Sequence, residues 1–205
     1  LIMKHKKKIF VLFLVGNRLQ FLNELPKILK HGDADGVILT GKFGSELKTH
    51  GPFPSLLHLA SLAKSRFPNK EIGVEVYDTE NSIENKNIEN WAKVNKIDML
   101  WSKSGNYIND RISVDSKILY IPEKEQLPTT EQIMTIKNAQ TESENLVLCG
   151  DITLCNIEHY VKYVDVFVVY SAVTVCVDEP YTYEPQKIKA ICEKLRDIDL
   201  ETFTA

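Results

Sequence analysis

The stretch LVLCGDITLCNIEHYVKYVDVFVVYSAV, residues 146–173, reads as a strand, a glycine turn, an amphipathic segment, a second strand and a turn of small residues. Its two strands, LVLC and VFVVY, are continuous apolar runs, which are typical of parallel strands buried on both faces. Two such strands joined by a helical segment form a βαβ unit, with both strand ends at the same edge of the sheet. Because small residues follow both strands, this order suggests the last quarter of a (β/α) barrel, where neighbouring strand ends hold a phosphate.

The same alternation of strand and helix patterns extends through the rest of the chain. Helical segments such as RLQFLNELPKILKHG (18–32) and PSLLHLASLAKSRF (54–67) separate the apolar runs. Five further strands are predicted, at IFVLFLV (9–15), GVILTG (36–41), IGVEVYD (72–78), DMLWS (98–102) and SKILYIP (116–122).

Seven strands with helical crossovers predict an α/β fold with a parallel sheet, and we expect a single TIM-type (β/α) barrel domain over residues 1–205. A complete barrel has eight strands. Either the eighth is irregular and lies within 104–116 or 176–183, or the barrel is incomplete. Closure of the barrel would place the first strand beside the strand VFVVY. The alternative architecture is an open doubly wound parallel sheet.

Composition and charge narrow the classes of function. Of the 205 residues, 43% are hydrophobic and 26% charged, and the net charge of −3 gives no electrostatic support to nucleic-acid binding. The run IFVLFLVG is about half the length that a bilayer span needs, so we expect no membrane span and a cytoplasmic location. The four cysteines form no C-x-x-C pair, which favours a reducing compartment without disulfides.

The two strand ends within residues 146–173 predict a phosphate site. Gly150, Asp151 and Thr153 follow the first strand, and Ser171 and Ala172 follow the second. Small residues let backbone N–H groups approach a phosphate closely, and a helix start adds a favourable dipole. The carboxylate of Asp151 would repel a phosphate, so we expect it to point away and cap the next helix. Glycine turns also end many parallel strands that bind nothing.

Four charged residues near other strand ends are candidates for catalysis. Lys42 and Lys103 come at the ends of predicted strands, Asp78 is the last residue of another, and Glu75 interrupts the apolar strand IGVEVY, where an unpaired charge would be costly. An inward carboxylate that meets a lysine could move protons on an anionic metabolite. The alternatives are ordinary polar loops and, for Glu75, an outward salt bridge to a helix.

The sequence contains no P-loop, and no G-x-G-x-x-G follows the first strand. No carboxylate cluster has a spacing that demands a metal, although Glu75 and Asp78 together leave Mg²⁺ open. We therefore predict neither a cofactor nor a metal.

Three segments resemble the BtpA-like family, within the phosphate-binding (β/α)₈-barrel superfamily. They are DADGVILTGKFG, PSLLHLASLAKSRFPNKEIGVEVYD and ENLVLCGDITLCNIEHYVKYVDVFVVYSAV. The last contains Asn156 and Tyr160 at the places of an Asn and a Tyr in the family's helix. The resemblance implies a barrel that binds an anionic ligand.

The residues leave the reaction open. We predict binding of a phosphorylated small metabolite at the barrel mouth, with lyase or isomerase chemistry by Lys42 or Lys103 and an acidic partner. The alternative is a catalytically silent barrel that acts as an assembly or regulatory factor, as the family name implies. An open-sheet nucleotide binder would require the strand order to reverse. A homodimer is expected from how commonly barrels pair.

Overall fold

The computed structural model describes residues 7–41, 53–76, 90–102, 116–120, 129–138, 145–175 and 181–204. The strands are β1 (Lys8–Val15), β2 (Gly36–Gly41), β3 (Glu71–Val76), β4 (Met99–Ser102), β5 (Ser116–Tyr120), β6 (Asn145–Gly150), β7 (Val166–Val169), β8 (Thr174–Val175) and β9 (Thr182–Tyr183). The helices are α1 (Arg18–Pro26), α2 (Phe53–Arg66), α3 (Thr130–Asn138), α4 (Ile157–Tyr160) and α5 (Pro185–Thr204). Residues 90–94 are also helical.

Strands β1 to β7 form one parallel sheet in the order β4-β3-β2-β1-β7-β6-β5. The first strand lies beside the seventh, with Lys8 opposite Val166 and Val11 opposite Val169, which confirms the pairing expected from barrel closure. Among the described residues, β4 and β5 form the two ends of the sheet. The cyclic order of a barrel is therefore kept, with its discontinuity between β4 and β5.

The direction of winding excludes the doubly wound alternative. Along the chain from β1 to β4, and again from β5 to β7, each strand lies next to the preceding one and always on the same side of it in the sheet. Because parallel crossovers are right-handed, steps in one direction place their helices on one face of the sheet. A doubly wound sheet needs a reversal of direction to cover both faces. The predicted TIM-type barrel is therefore the observed fold class.

Side chains on the two faces of the sheet form two separate cores. Those on one face pack against the helices, for example Phe13 of β1, whose ring stacks on that of Phe21 of α1 with centroids 5.9 Å apart. Those on the other face pack against one another as a barrel interior, which contains Phe10, Ile38, Met99, Val147, Cys149, Val166 and Val168.

Aspartates fix the starts of three strands. Asp35 stands before β2, its backbone N–H donates to the Ile9 carbonyl at 2.9 Å, and its carboxylate accepts the Ile9 N–H at 2.9 Å. The same pair of bonds joins Asp98 before β4 to Ile72 of β3, and Asp165 before β7 to Leu146 of β6. Each aspartate therefore locks its strand to the neighbouring one at the end opposite the barrel mouth.

Two of the helices that were predicted between strands are less regular than the sequence indicates. The helix after β1 changes hydrogen-bonding register at Pro26, which has no N–H to donate, and continues as a π-helical segment at Lys27–His31. The connection from β6 to β7 holds only one α-helical turn, Ile157–Tyr160.

One of the two candidate locations for an irregular eighth strand, 176–183, is described only from residue 181. There Thr182–Tyr183 is a strand that pairs antiparallel with Thr174–Val175, as the two-stranded β8–β9 hairpin, and it does not join the parallel sheet. The other predicted location, 104–116, lies outside the described residues except for Ser116, which begins β5. Within the described part of the chain, no helix is long and apolar enough to cross a membrane.

Candidate functional site

The ends of β6 and β7 meet at the edge of the sheet where the parallel strands finish. These strands are paired up to Gly150, which lies opposite Val169. Just beyond this pair, the Ser171 hydroxyl donates a hydrogen bond to Asp151 Oδ1 at 2.8 Å, and both residues are exposed. The two turns that the sequence singled out are thus in direct contact.

The turn after β6 is held by its own backbone and by one asparagine. The Ile152 N–H donates to the Gly150 carbonyl at 2.9 Å. Asn156 accepts from the Thr153 N–H at 2.8 Å and donates from its side-chain amide to the Asp151 carbonyl at 2.9 Å. The N-cap position of α4 belongs to Asn156, so the expectation that Asp151 caps this helix was wrong. The Asp151 carboxylate instead faces Ser171.

The turn after β7 is a short 3-10 helix, Ser171–Val173. The Val173 N–H donates to the Tyr170 carbonyl at 3.1 Å, and the Thr174 hydroxyl donates to the Ser171 carbonyl at 3.2 Å. Ala172 is half-buried between them. The chain then runs directly into β8, which begins at Thr174.

Glu75 lies inside the barrel. Its side chain is 3% exposed and accepts a hydrogen bond from the hydroxyl of Thr40, which is 6% exposed. It shares a face of β3 with Gly73, where a Cβ would contact Ile38 and Met99 of the interior core. The alternative of an outward salt bridge to a helix was therefore wrong.

Of the residues predicted for catalysis, only Glu75 lies in the described part of the chain. Lys42, Lys103 and Asp78 lie outside it. In the strand order, β3 is separated from β7 by β2 and β1. Glu75 on β3 is thus three strands away from β7, whereas its partner Thr40 on β2 is two strands away.

A buried polar network beside the end of β1 was missed at the level of sequence. The phenol of Tyr183 accepts from the Leu14 N–H at 2.8 Å and donates to the Leu12 carbonyl at 3.1 Å. Beyond Val11, β1 is no longer paired with β7, so the phenol takes the place of a strand neighbour. Burial raises the pKa of Tyr183 well above its usual range, which keeps the phenol protonated and able to donate.

Two side chains on the inner face of α1 complete this network. Glu24 is 4% exposed, and its carboxylate accepts from the Tyr183 N–H at 2.9 Å. Gln20 is 6% exposed and bonds backbone groups of β1, the β1–α1 turn and the residue before β9. The available sequence signal was the presence of these two polar residues beside Phe21 and Leu25, on a helix face that otherwise reads as core.

The cysteines and acidic groups of the described residues offer no metal centre, since no three His, Cys, Asp or Glu side chains there could hold an ion together. Cys149, Cys155 and Cys192 form no disulfide. Cys149 lies in the barrel interior and Cys192 in the helix-facing core, where burial raises the pKa of its thiol to about 12. Both buried cysteines therefore pack as small apolar residues.

No protein-family model matches the chain, and no curated protein matches it either. Solved structures do match over most of its length. KGPDC from Streptococcus mutans aligns at 13% identity with a TM-score of 0.63, over 95% of this chain and 99% of that one. Tryptophan synthase subunit alpha from Legionella pneumophila aligns at 13% identity with a TM-score of 0.64, over 94% of each chain. The 3-keto-L-gulonate-6-phosphate decarboxylase from Vibrio cholerae aligns at 11% identity with a TM-score of 0.58, over 94% and 98%.

These neighbours are TIM barrels. At such identities the likeness shows the fold, and it agrees with the winding of the sheet and the two separate cores.

Proposed function

We propose that the chain binds a phosphorylated small metabolite at the barrel mouth, where Gly150 to Thr153 and Ser171–Ala172 take the phosphate. The observation that carries this proposal is the contact between Asp151 and Ser171, because it brings two neighbouring strand ends with small residues to one point. Paired ends of the last two barrel strands are the usual place for a phosphate in this architecture.

The chemistry of the pair sets the conditions for binding. The Ser171 hydroxyl can donate its hydrogen bond to a phosphate oxygen in place of the Asp151 carboxylate, because the hydroxyl hydrogen rotates about the Cβ–Oγ bond. The carboxylate then stands close to the anion and weakens its binding. We therefore expect modest affinity for inorganic phosphate, with the rest of the ligand supplying further contacts.

Similar folds support the ligand class. The V. cholerae neighbour is named for a phosphorylated substrate, and KGPDC from S. mutans has been solved in complex with a phosphorylated sugar. The BtpA-like resemblance points to the same class of anionic ligand.

For chemistry, we propose a lyase or isomerase that uses Lys42 or Lys103 with an acidic partner, for which Glu75 and Asp78 are the candidates. Glu75 is the described member of this set, and the Thr40 hydroxyl orients its carboxylate. Because β3 and β7 are well separated in the sheet, the metabolite would span the mouth from its phosphate to its reacting carbon.

Three proteins test the phosphate site: wild type, Gly150→Leu and Asp151→Asn, each titrated with inorganic phosphate and D-ribose 5-phosphate by calorimetry. The leucine side chain should block the approach of the backbone and abolish binding. Asp151→Asn keeps the shape and removes the repelling charge, which is worth about 1 kcal/mol at 4 Å in water, so affinity should rise roughly fivefold. Equal responses from all three proteins would remove the site from these turns.

A second candidate function is a catalytically silent BtpA-like barrel that acts as an assembly or regulatory factor. The observation that favours it is the same Asp151 carboxylate, which leaves a negative charge at the strand ends. It predicts that Asp151→Asn creates phosphate binding that the wild type lacks. One domain over residues 1–205, a homodimer and a cytoplasmic location belong to both proposals.

A further inference from the structure

Gln20 joins three parts of the molecule through one buried side chain. Its amide nitrogen donates to the Tyr181 carbonyl at 2.6 Å and to the Leu14 carbonyl at 3.2 Å. Its amide oxygen accepts from the Gly16 N–H at 2.7 Å. Since the side chain is 6% exposed, water cannot readily replace these bonds.

Tyr181 connects Gln20 to the turn after β7 through the β8–β9 hairpin. It immediately precedes β9, which pairs with β8, and β8 begins directly after the Ser171–Val173 turn. The Glu184 N–H, at the other end of β9, donates to the Val173 carbonyl at 2.9 Å. The Tyr181 ring also meets the Tyr170 ring edge to face, with centroids 6.1 Å apart.

We propose that Gln20 is a positioning residue for the phosphate end of the barrel, acting through Tyr181 and the β8–β9 hairpin on Ser171. This inference rests on the proposed phosphate site and adds a residue of a different helix to it. With the hairpin anchored, Ser171 stays beside Asp151 and the end of β6. Without the anchor, the fraction of molecules with Ser171 in place falls, and the apparent affinity falls by the same factor.

The variant Gln20→Met tests this, because methionine has a similar length and lacks the amide. Asp98→Ala is the matched control: it also removes a side chain that accepts a backbone N–H, but at the start of β4, remote from the mouth. Both variants should lower the melting temperature. Only Gln20→Met should weaken phosphate binding, by about tenfold, as expected if about one molecule in ten keeps the turn in place.

Gln20→Glu separates the two halves of the amide. An ionised glutamate still accepts from the Gly16 N–H but has no hydrogen to donate to the Tyr181 carbonyl, whereas a glutamate that burial keeps protonated can donate to it. Compared with wild type at the same pH, Gln20→Glu should therefore bind phosphate as weakly as Gln20→Met at high pH, and its binding should recover at low pH. Affinity at the wild-type level in Gln20→Met, or an equal loss in Asp98→Ala, would overturn the positioning role.

Backbone amide exchange gives a result that does not need a ligand. In Gln20→Met, the Val173 and Glu184 amides should exchange faster than in wild type, while both stay protected in Asp98→Ala. If wild type binds no phosphate but the amides respond in this way, the phosphate site fails and the mechanical link stands. If the amides do not respond, the link itself fails.

Discussion

The phenol of Tyr183 offers the sharpest test of how this barrel is held together. Tyr183→Phe keeps the ring that meets Phe13 edge to face at 5.1 Å, and removes only the hydroxyl. The Leu14 N–H and the Leu12 carbonyl then both lose a partner. Each such bond contributes about 1 kcal/mol net, and a group left unsatisfied in a buried site costs about 1–3 kcal/mol. We expect a loss of about 2–3 kcal/mol in the free energy of unfolding.

The assay is equilibrium unfolding in urea, together with thermal melting. For a chain of this size, a loss of that order lowers the melting temperature by roughly 4–12 °C. Tyr181→Phe is the matched control, because it removes a hydroxyl from the same hairpin and keeps the carbonyl that Gln20 binds. It should change stability by less than about 0.5 kcal/mol. Equal, small effects of both substitutions would refute the view that this phenol replaces a strand neighbour.

The raised pKa of Tyr183 adds a dependence on pH. In the unfolded chain a tyrosine loses its proton near pH 10, whereas in the folded protein burial holds it protonated to higher pH. Its contribution is therefore complete below about pH 10 and declines above that value. The stability difference between wild type and Tyr183→Phe should narrow as the pH rises beyond 10.

Three other substitutions test separate parts of the fold. Burial raises the pKa of the Cys192 thiol from 9.0 to about 12, so the thiol's contribution to stability is complete below pH 9 and falls above it. Between pH 9 and 11, the unfolding free energy of Cys192→Ala should therefore fall less steeply with pH than that of wild type, by up to about 1.4 kcal/mol per pH unit. Identical slopes in the two proteins would contradict this. Lys96 has a φ of 56°, so Lys96→Gly should stabilise the protein by about 0.5–1 kcal/mol in urea unfolding, whereas Lys93→Gly within the helix should destabilise it by about as much. Val168→Asp places a charge in the barrel interior and should lower the free energy of unfolding by more than about 4 kcal/mol. The control Val94→Asp, at a side chain that is 81% exposed, should leave it nearly unchanged. A native-like melting curve for Val168→Asp would show that β7 is not central to the fold.

The strands were predictable because burial on both faces makes each one a continuous apolar run. Within the described residues, the bounds of all seven strands lie within two residues of the expected positions. The neighbours of β1 were also predictable, since closure of a barrel requires its last strand to pair with its first. The closeness of the two turns after β6 and β7 could be expected in the same way, from two adjacent strands that end at one edge, but the bond between Ser171 and the Asp151 carboxylate could not.

The network around Tyr183 could not be predicted from local patterns. Its bonds to Leu12 and Leu14 join residues that are about 170 positions apart, and no periodicity records them. Gln20 and Glu24 were hidden for a related reason: a polar residue on an inner helix face is explained only when the partner on another element is known. The strand Thr182–Tyr183 lies in one of the candidate locations for an eighth strand, and its two residues carry too little pattern to reveal its antiparallel direction.

The strand order has a consequence for how the molecule can be divided. A break between β4 and β5 would sever no strand pairing that the described residues show, because these strands are the two ends of the sheet. The resulting fragments meet along β1 and β7, and the bonds from Tyr183 to β1 and from Gln20 to Tyr181 all cross that boundary. Two separately produced pieces, residues 1–102 and 116–205, therefore carry complementary surfaces. The barrel is a natural candidate for a split protein whose reassembly reports on the association of fused partners.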